Sequence, residues 1–280
     1  MHAEIGRDLL QGHPVFAVSG DSHDIVAELF RIRLGHCDIL SGQPPGKPSW
    51  LSPTPAAAPY DLGPREYELS LAQSVLCIHT RVNDLYNKPL NQFDEQLRLT
   101  VEQIRERGEW ELINNRDFGL LHETAYDQRL STRSGPPTPD DLDALLARCR
   151  SADLMLAHPR TIAAFHRECN RRGLVPETVR VRNRLITAWA GVPLFPCEHI
   201  PVTDRQSSSI VALRTGVDNE GVVGLHQTGV PDEHSAGISV RFTGVDEHAV
   251  ARYLVTGNYG IAILVADATA MLEHVDVAII

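Results

Sequence analysis

The 280-residue chain has no apolar run long enough to cross a membrane; the longest near its C-terminus, residues 261–266, is strand-sized. Its first residues carry Glu4 and Asp8 in place of a basic-then-apolar layout, so no signal peptide is expected. Positive charge is in short supply, 26 Lys and Arg against 36 Asp and Glu, and the net charge of −10 excludes sequence-independent nucleic-acid binding, which needs a basic surface. Cysteine is scarce: Cys37, Cys77, Cys149, Cys169 and Cys197 are odd in number and scattered, the pattern of a reduced, cytoplasmic chain. There is no glycine-rich phosphate loop, no nucleophile elbow and no HExxH motif. Neither an internal repeat nor the βαβ alternation of a doubly wound sheet is present.

What the chain does have is helix. The spacing predicts one long amphipathic helix over residues 91–113. Pro89 stops what precedes it, Asn91 can cap, and Asp94 and Glu95 place negative charge against the orphan amides of the first turn. Phe93, Leu97, Val101, Ile104 and Leu112 recur at helical spacing, with Gly108 on the same stripe, so this face meets a core. Asp94 with Arg98, and Arg107 with Glu111, stand four apart and should lace the outer face with weak ion pairs. Leu99 and Trp110 break the pattern, because at about 100° per residue they lie nearly opposite the stripe. Two apolar faces imply two sets of neighbours, either within the domain or across a subunit contact.

The organisation changes along the chain. Residues 1–41 hold two moderate apolar clusters and no motif. Residues 42–65, dense in Pro and Gly, form a linker or extended arm, since that composition sustains neither helix nor strand. Residues 68–86 read as a mixed helical or extended approach. Thr138-Pro139-Asp140-Asp141 is a strong helix entry, with Leu142, Leu145, Leu146 and Cys149 as the buried face. His158-Pro159 opens a third helix that ends at Arg171-Arg172-Gly173. Beyond it, residues 192–202 read as an edge strand or loop broken by Pro193, Pro196 and Pro201. Residues 209–214, 221–227 and 237–243 are short strands, 246–254 a helix, 261–265 a buried strand, 267–272 a helix and 275–277 a closing strand. Helices first and strands afterwards make the fold class α+β.

Chemistry is sparse. His166 and Cys169 on one helix, with Cys197 and His199 in the proline-rich segment, supply zinc-ligand residue types, but their spacings match no standard zinc motif. His226 and His234 flank Gly229, with Asp232 and Glu233 between them; such a loop could do acid–base work, and a polar turn between strands explains it equally well. The reading therefore assigns no catalytic, cofactor-binding or metal-binding residue.

Seven segments carry a resemblance: ELSLAQSVLCIHTRVNDLYN, NQFDEQLRLTVEQIRERGEWELINNRDFGLL, TRSGPPTPDDLDALL, LAHPRTIAAFHRECNRRG, GVPLFPCEHIPV, GVVGLHQTGVPDEHSAGISVRF and AILVADATAMLEHVDV. In this order they resemble the second family of encapsulin shell proteins, from about Glu66 to the end. The resemblance implies the fold of tailed-bacteriophage major capsid proteins, with residues 91–113 as the spine helix of the peripheral domain. Residues 139–257 would include the axial domain, and the C-terminal strand would return to the peripheral sheet. It also implies a structural protein that self-assembles into an icosahedral shell in the cytoplasm and encloses a cargo enzyme. In the family the cargo is often a cysteine desulfurase, elsewhere a terpene cyclase, a polyprenyl transferase or a sugar kinase.

Residues 1–65 match neither the arm nor the extended loop of such proteins. For them a truncated cyclic-nucleotide-binding domain and a divergent arm stand as alternatives, although the phosphate cassette of such a domain is not found. Two other functional classes stand beside the shell: a metal-dependent hydrolase or transferase built on His166, Cys169, Cys197 and His199, and a nucleotide-responsive regulator built on residues 1–41.

Overall fold

The structure is a computed structural model, and it describes residues 67–79, 92–132 and 135–278. Residues 1–41, the linker at 42–65, Cys37 and the Asn91 cap lie outside the described residues.

The first described element is a strand, β1 (Ser70–His79), where the sequence reading left helix and extended chain open. Helix α1 (Gln92–Asn114) follows within a residue of the expected bounds. A short helix α2 (Leu120–Glu123) and a 3₁₀ turn (Tyr126–Gln128) lead to β2 (Arg129–Ser131). Helix α3 (Pro139–Arg148) starts with Thr138 and Asp141 in a reciprocal capping box and Pro139 in the first turn. Strand β3 (Leu154–Ala157) then runs into α4 (Pro159–Arg171), whose N-cap His158 accepts the Arg160 amide; Gly173, at φ 70°, lies just past its end.

The rest is strand: β4 (Glu177–Val181), β5 (Arg184–Trp189), β6 (Val192–Pro196), β7 (Ser207–Leu213), β8 (Val222–Leu225), β9 (Glu233–Ser235), β10 (Ile238–Val245), β11 (Val250–Ile263) and β12 (Thr269–Asp276). They form two sheets. One has five strands ordered β1-β11-β10-β9, with β8 on the far half of β11; the other has seven, ordered β2-β12-β7-β3-β6-β5-β4.

The seven-stranded sheet is covered on both faces. Met155 and Ala157 of β3 point into a core with Leu142, Leu145, Phe165 and Cys169 from α3 and α4. Leu154 and Leu156 point the other way, into a core with Ile113, Leu120, Phe195 and Met271. A strand buried on both sides reads as an unbroken apolar run, which is why Leu-Met-Leu-Ala gives no alternation to detect. The five-stranded sheet is covered on one face, by α1, where Leu97, Val101 and Ile104 meet Ala72, Leu76, Ile78, Ile238 and Val255. The approach is close. A Cβ on Gly257 would stand 2.5 Å from Ile104 Cγ2, and one on Gly108 would stand 3.2 Å from the Tyr259 ring.

Several expectations change. Residues 246–254 are not a helix. The Asp246 carboxylate accepts the amides of His248 and Val250, Ala249 sits at φ 58°, and this turn feeds β11, which pairs with β1 and β10 over nearly its whole length. Residues 267–272 are not a helix either: after a 3₁₀ turn (Ala266–Ala268) they form β12, held between β7 and β2. In both places long-range pairing overrides a weak local preference. Residues 192–202 do not end the sheet, because β6 pairs parallel with β3 through residues 194–196 and antiparallel with β5 through 192–193. Pro193 thus sits where the two ladders meet, and Pro196 at the far end of the β3 ladder, opposite Ala157. The C-terminal strand joins the seven-stranded sheet; it is β10 and β11 that return beneath α1. On the surface of α1, Arg98 pairs with Glu95 at 2.6 Å and Glu102 at 2.5 Å, while the Arg107–Glu111 pair forms at 3.1 Å.

Candidate assembly surface

Helix α1 has one buried and one exposed apolar face. Its inner stripe is buried, and its last turn inserts Ile113 into the core of the seven-stranded sheet, so the helix ties the two sheets together. The Asn114 amide donates to the His199 carbonyl at 2.8 Å, and His199 Nε2 stands 3.5 Å from the Glu109 carboxylate. Opposite the stripe, Trp110 is 52% exposed and Leu99 46% exposed. The second apolar face anticipated from spacing is therefore exposed among the described residues. The uncovered face of the five-stranded sheet continues the pattern, with Leu71 and Val75 of β1 exposed. β1 is also an edge strand, hydrogen-bonded only to β11 among the described strands. Open edges and exposed apolar faces are what a protein leaves for another chain.

The base of this surface is held by a polar cluster. Ser70 Oγ donates to Glu111 at 2.8 Å, and Arg107 Nε donates to its other oxygen at 3.1 Å. Burial opposes ionisation of Glu111, but these hydrogen bonds outweigh it and hold the carboxyl below its ordinary range. Burial beside that carboxylate pushes the Tyr259 phenol up to about 12.

The residues with zinc-ligand chemistry are not brought together. His166 Nε2 bonds the Thr187 hydroxyl at 2.9 Å, and Cys169 lies in the helix-side core. Cys197 lies in the opposite core, and His199 faces Glu109. Among the described residues no group of three or more His, Cys, Asp and Glu is placed to hold a metal. Burial pushes the thiols of Cys149 and Cys197 up to about 11 and moves that of Cys169 in the same direction, which keeps them protonated, apolar and poorly nucleophilic. His226 follows β8, and the Gly237 α-carbon approaches its side chain so closely that an added Cβ would stand 2.9 Å from the His226 Cβ. His234 lies on the short strand β9, and Asp232 faces Arg241 at 3.7 Å.

Sequence reasoning did not find the exposed residues of β1 or of the β4–β5 hairpin. Leu71 and Val75 carried a usable signal, since they alternate with buried Ala72 and Leu76, but the segment's mixed reading hid it.

Comparison with known proteins agrees with this architecture. The family described as type 2A encapsulin shell protein SrpI-like matches residues 52–279, so the match begins inside the proline-rich stretch and ahead of Glu66. The type 2A encapsulin shell protein SrpI of Synechococcus elongatus is 48% identical over 215 residues, covering 76% of this chain and 70% of that one. The type 2A encapsulin shell protein of Mycobacterium leprae is 46% identical over 219 residues, covering 78% and 71%. The cryo-EM structure of the holo-SrpI encapsulin complex from Synechococcus elongatus matches with a TM-score of 0.76 at 48% identity, covering 79% of each chain. The capsid of an empty GTA particle matches with a TM-score of 0.54 at 15% identity, covering 82% of this chain and 81% of that one, which shows a shared capsid fold. With an α+β fold of tailed-phage capsid type and these relatives, the chain belongs to the SrpI-like family of type 2A encapsulin shell proteins.

Proposed function

We propose that this chain is the structural subunit of a cytoplasmic encapsulin nanocompartment, assembling with copies of itself into a closed icosahedral shell around a cargo enzyme. The observation that carries the reading is the joint one: 48% identity to a shell-forming relative over most of both chains, and an outer face of α1 left bare in the single subunit. In this reading α1 is the spine helix, and it forms the peripheral domain with β1, β10 and β11. The axial domain lies within 139–257 and corresponds to α3, α4 and β3–β7. Trp110 and Leu99 meet a neighbouring subunit.

The subunit itself performs no chemistry; the enclosed enzyme does. By resemblance the cargo is a cysteine desulfurase, or a terpene cyclase or polyprenyl transferase. The proposal includes neither nucleic acid nor membrane as a partner, in keeping with the net charge of −10.

Size-exclusion chromatography and negative-stain microscopy of the purified 280-residue chain test the reading, with residues 1–65 expected to decide how well shells close. Arms add contact area, and an interface below about 1,000 Å² is seldom stable alone. Uniform closed particles from a chain beginning at Glu66 would show that residues 1–65 are dispensable. A persistent monomer from the whole chain would overturn the shell reading itself.

A further inference from the structure

Helix α4 begins on an unusual cap. Its N-cap is His158, a residue outside the Ser, Thr, Asp and Asn set that helix entries favour. One residue serves the whole first turn. Pro159 brings no amide, the Arg160 amide donates to His158 Nδ1 at 3.1 Å, and the amides of Thr161 and Ile162 donate to the His158 carbonyl at 2.8 and 3.2 Å. The Arg160 bond fixes the form of the ring: Nδ1 is an acceptor, so the imidazole is neutral and carries its proton on Nε2.

The surroundings of the ring add to that requirement. The Arg160 guanidinium, on the same helix and bonded to the Gln206 side chain, repels a charged ring. The positive end of the α4 dipole does the same. Facing His158 from the turn after β6 is Glu198, whose carboxylate favours a charged ring; Cys197 and His199 flank Glu198 on that turn. Burial is the largest influence, and together with Arg160 it outweighs Glu198, so the imidazole is held below its ordinary range. The turn is itself a junction. The Cys197 amide donates at 2.8 Å to the carbonyl of Ala157, the residue before His158, and the His199 carbonyl accepts from Asn114 at the end of α1.

We propose that His158 is a proton-operated cap, closed while the ring is neutral and opened when a proton from solvent binds Nδ1. The imidazolium has two donors and no acceptor, so the Arg160 amide loses its partner. The ring then turns from the helix toward Glu198, and the first turn of α4 frays beside the junction of the two sheets. Linkage gives the direction. The folded value lies below the unfolded one, so the contribution of the cap is complete above about pH 6.5 and is lost as the pH falls through the folded value. The inference concerns the single subunit and holds whether or not shells form.

Hydrogen–deuterium exchange of the whole chain tests it, read at the peptide covering the α4 entry and corrected for the intrinsic effect of pH. Between about pH 7.5 and about pH 5 that peptide should lose about tenfold in protection. The α3 entry, capped by Thr138, is the internal reference and should keep its protection. His158→Asn caps through an amide that does not titrate in this range and should stay protected at both pH values. Arg160→Gln removes the opposing charge and should move the loss to higher pH, whereas Glu198→Gln should move it to lower pH. Parallel losses in the parent and in His158→Asn, or equal protection of the parent at both pH values, would overturn the proposal. Shifts of opposite sign in the two charge variants carry the test if the asparagine variant does not fold; shifts of one sign, or none, would overturn it as well.

Discussion

The two sheets of this molecule are built from similar residues and finished differently. The seven-stranded sheet carries helices on one face and a second core on the other, and its central strand β3 is buried at all four positions. The five-stranded sheet is covered once, by α1, and its other face shows Leu71 and Val75. The first could be the interior of any monomeric domain. The second has one face that no described element covers. The difference separates residues that make the subunit from those proposed above to meet a neighbour, and α1 carries both: Leu97, Val101 and Ile104 are buried, Leu99 and Trp110 exposed.

The sharpest way to break that division is to charge its internal side. Leu97→Asp, or Ile104→Asp, puts an unpaired carboxylate between helix and sheet and should cost at least several kcal/mol, enough to unfold the subunit. Loss of the cooperative transition in circular dichroism would report it; a folded, stable Leu97→Asp subunit would mean that α1 does not pack on the five-stranded sheet as described.

Next in size is the doubly covered sheet. Phe165 is fully buried and packs edge-on against Trp189, so Phe165→Ala should cost about 3–5 kcal/mol, with a clear drop in the denaturant midpoint. A loss below about 1 kcal/mol would show that this core collapses around the cavity and is less rigid than its burial suggests.

Trp110→Ala should leave the subunit within about 0.5 kcal/mol of the parent, because half of the ring already faces solvent, yet it should assemble poorly. Sedimentation velocity separates the two effects. A variant that assembles as well as the parent would remove Trp110 from the contact surface.

The smallest effect is a pH dependence. The Glu111 carboxyl is held below its ordinary value by Ser70 and Arg107, so it contributes stability that is present above about pH 4.5 and is lost as the pH falls through its folded value. Glu111→Gln should flatten the acid limb of the stability profile and change little at neutral pH beyond the lost hydrogen bonds. An unchanged acid limb would exclude Glu111 from that role.

Local chemistry announced itself in the sequence wherever a residue acts on its own neighbours. The capping box of Thr138 and Asp141, the entry at His158-Pro159 and the exit past Arg171 all depend on contacts within one turn, and all three are where the sequence puts them. The inner stripe of α1 and the bare Leu99 and Trp110 were legible for the same reason, since a helix's period alone sorts its faces. Residues 246–254 and 267–272 were misread because their strand character comes from partners far along the chain: Leu254 lies opposite Val75 and Leu272 opposite Ile210.

The sequence by itself determined the ends of α3 and α4, the faces of α1, the acidic balance of the chain and, through its peculiar segments, the family. Only the tertiary structure decided that His166, Cys169, Cys197 and His199 stand apart, that β12 lies between β2 and β7 in the seven-stranded sheet, and that three arginines share one exposed hairpin. The reason is physical. A helix satisfies its hydrogen bonds within a few residues and can be read locally, whereas a strand's partner, and the distance between side chains on separate elements, exist only once the sheets have formed.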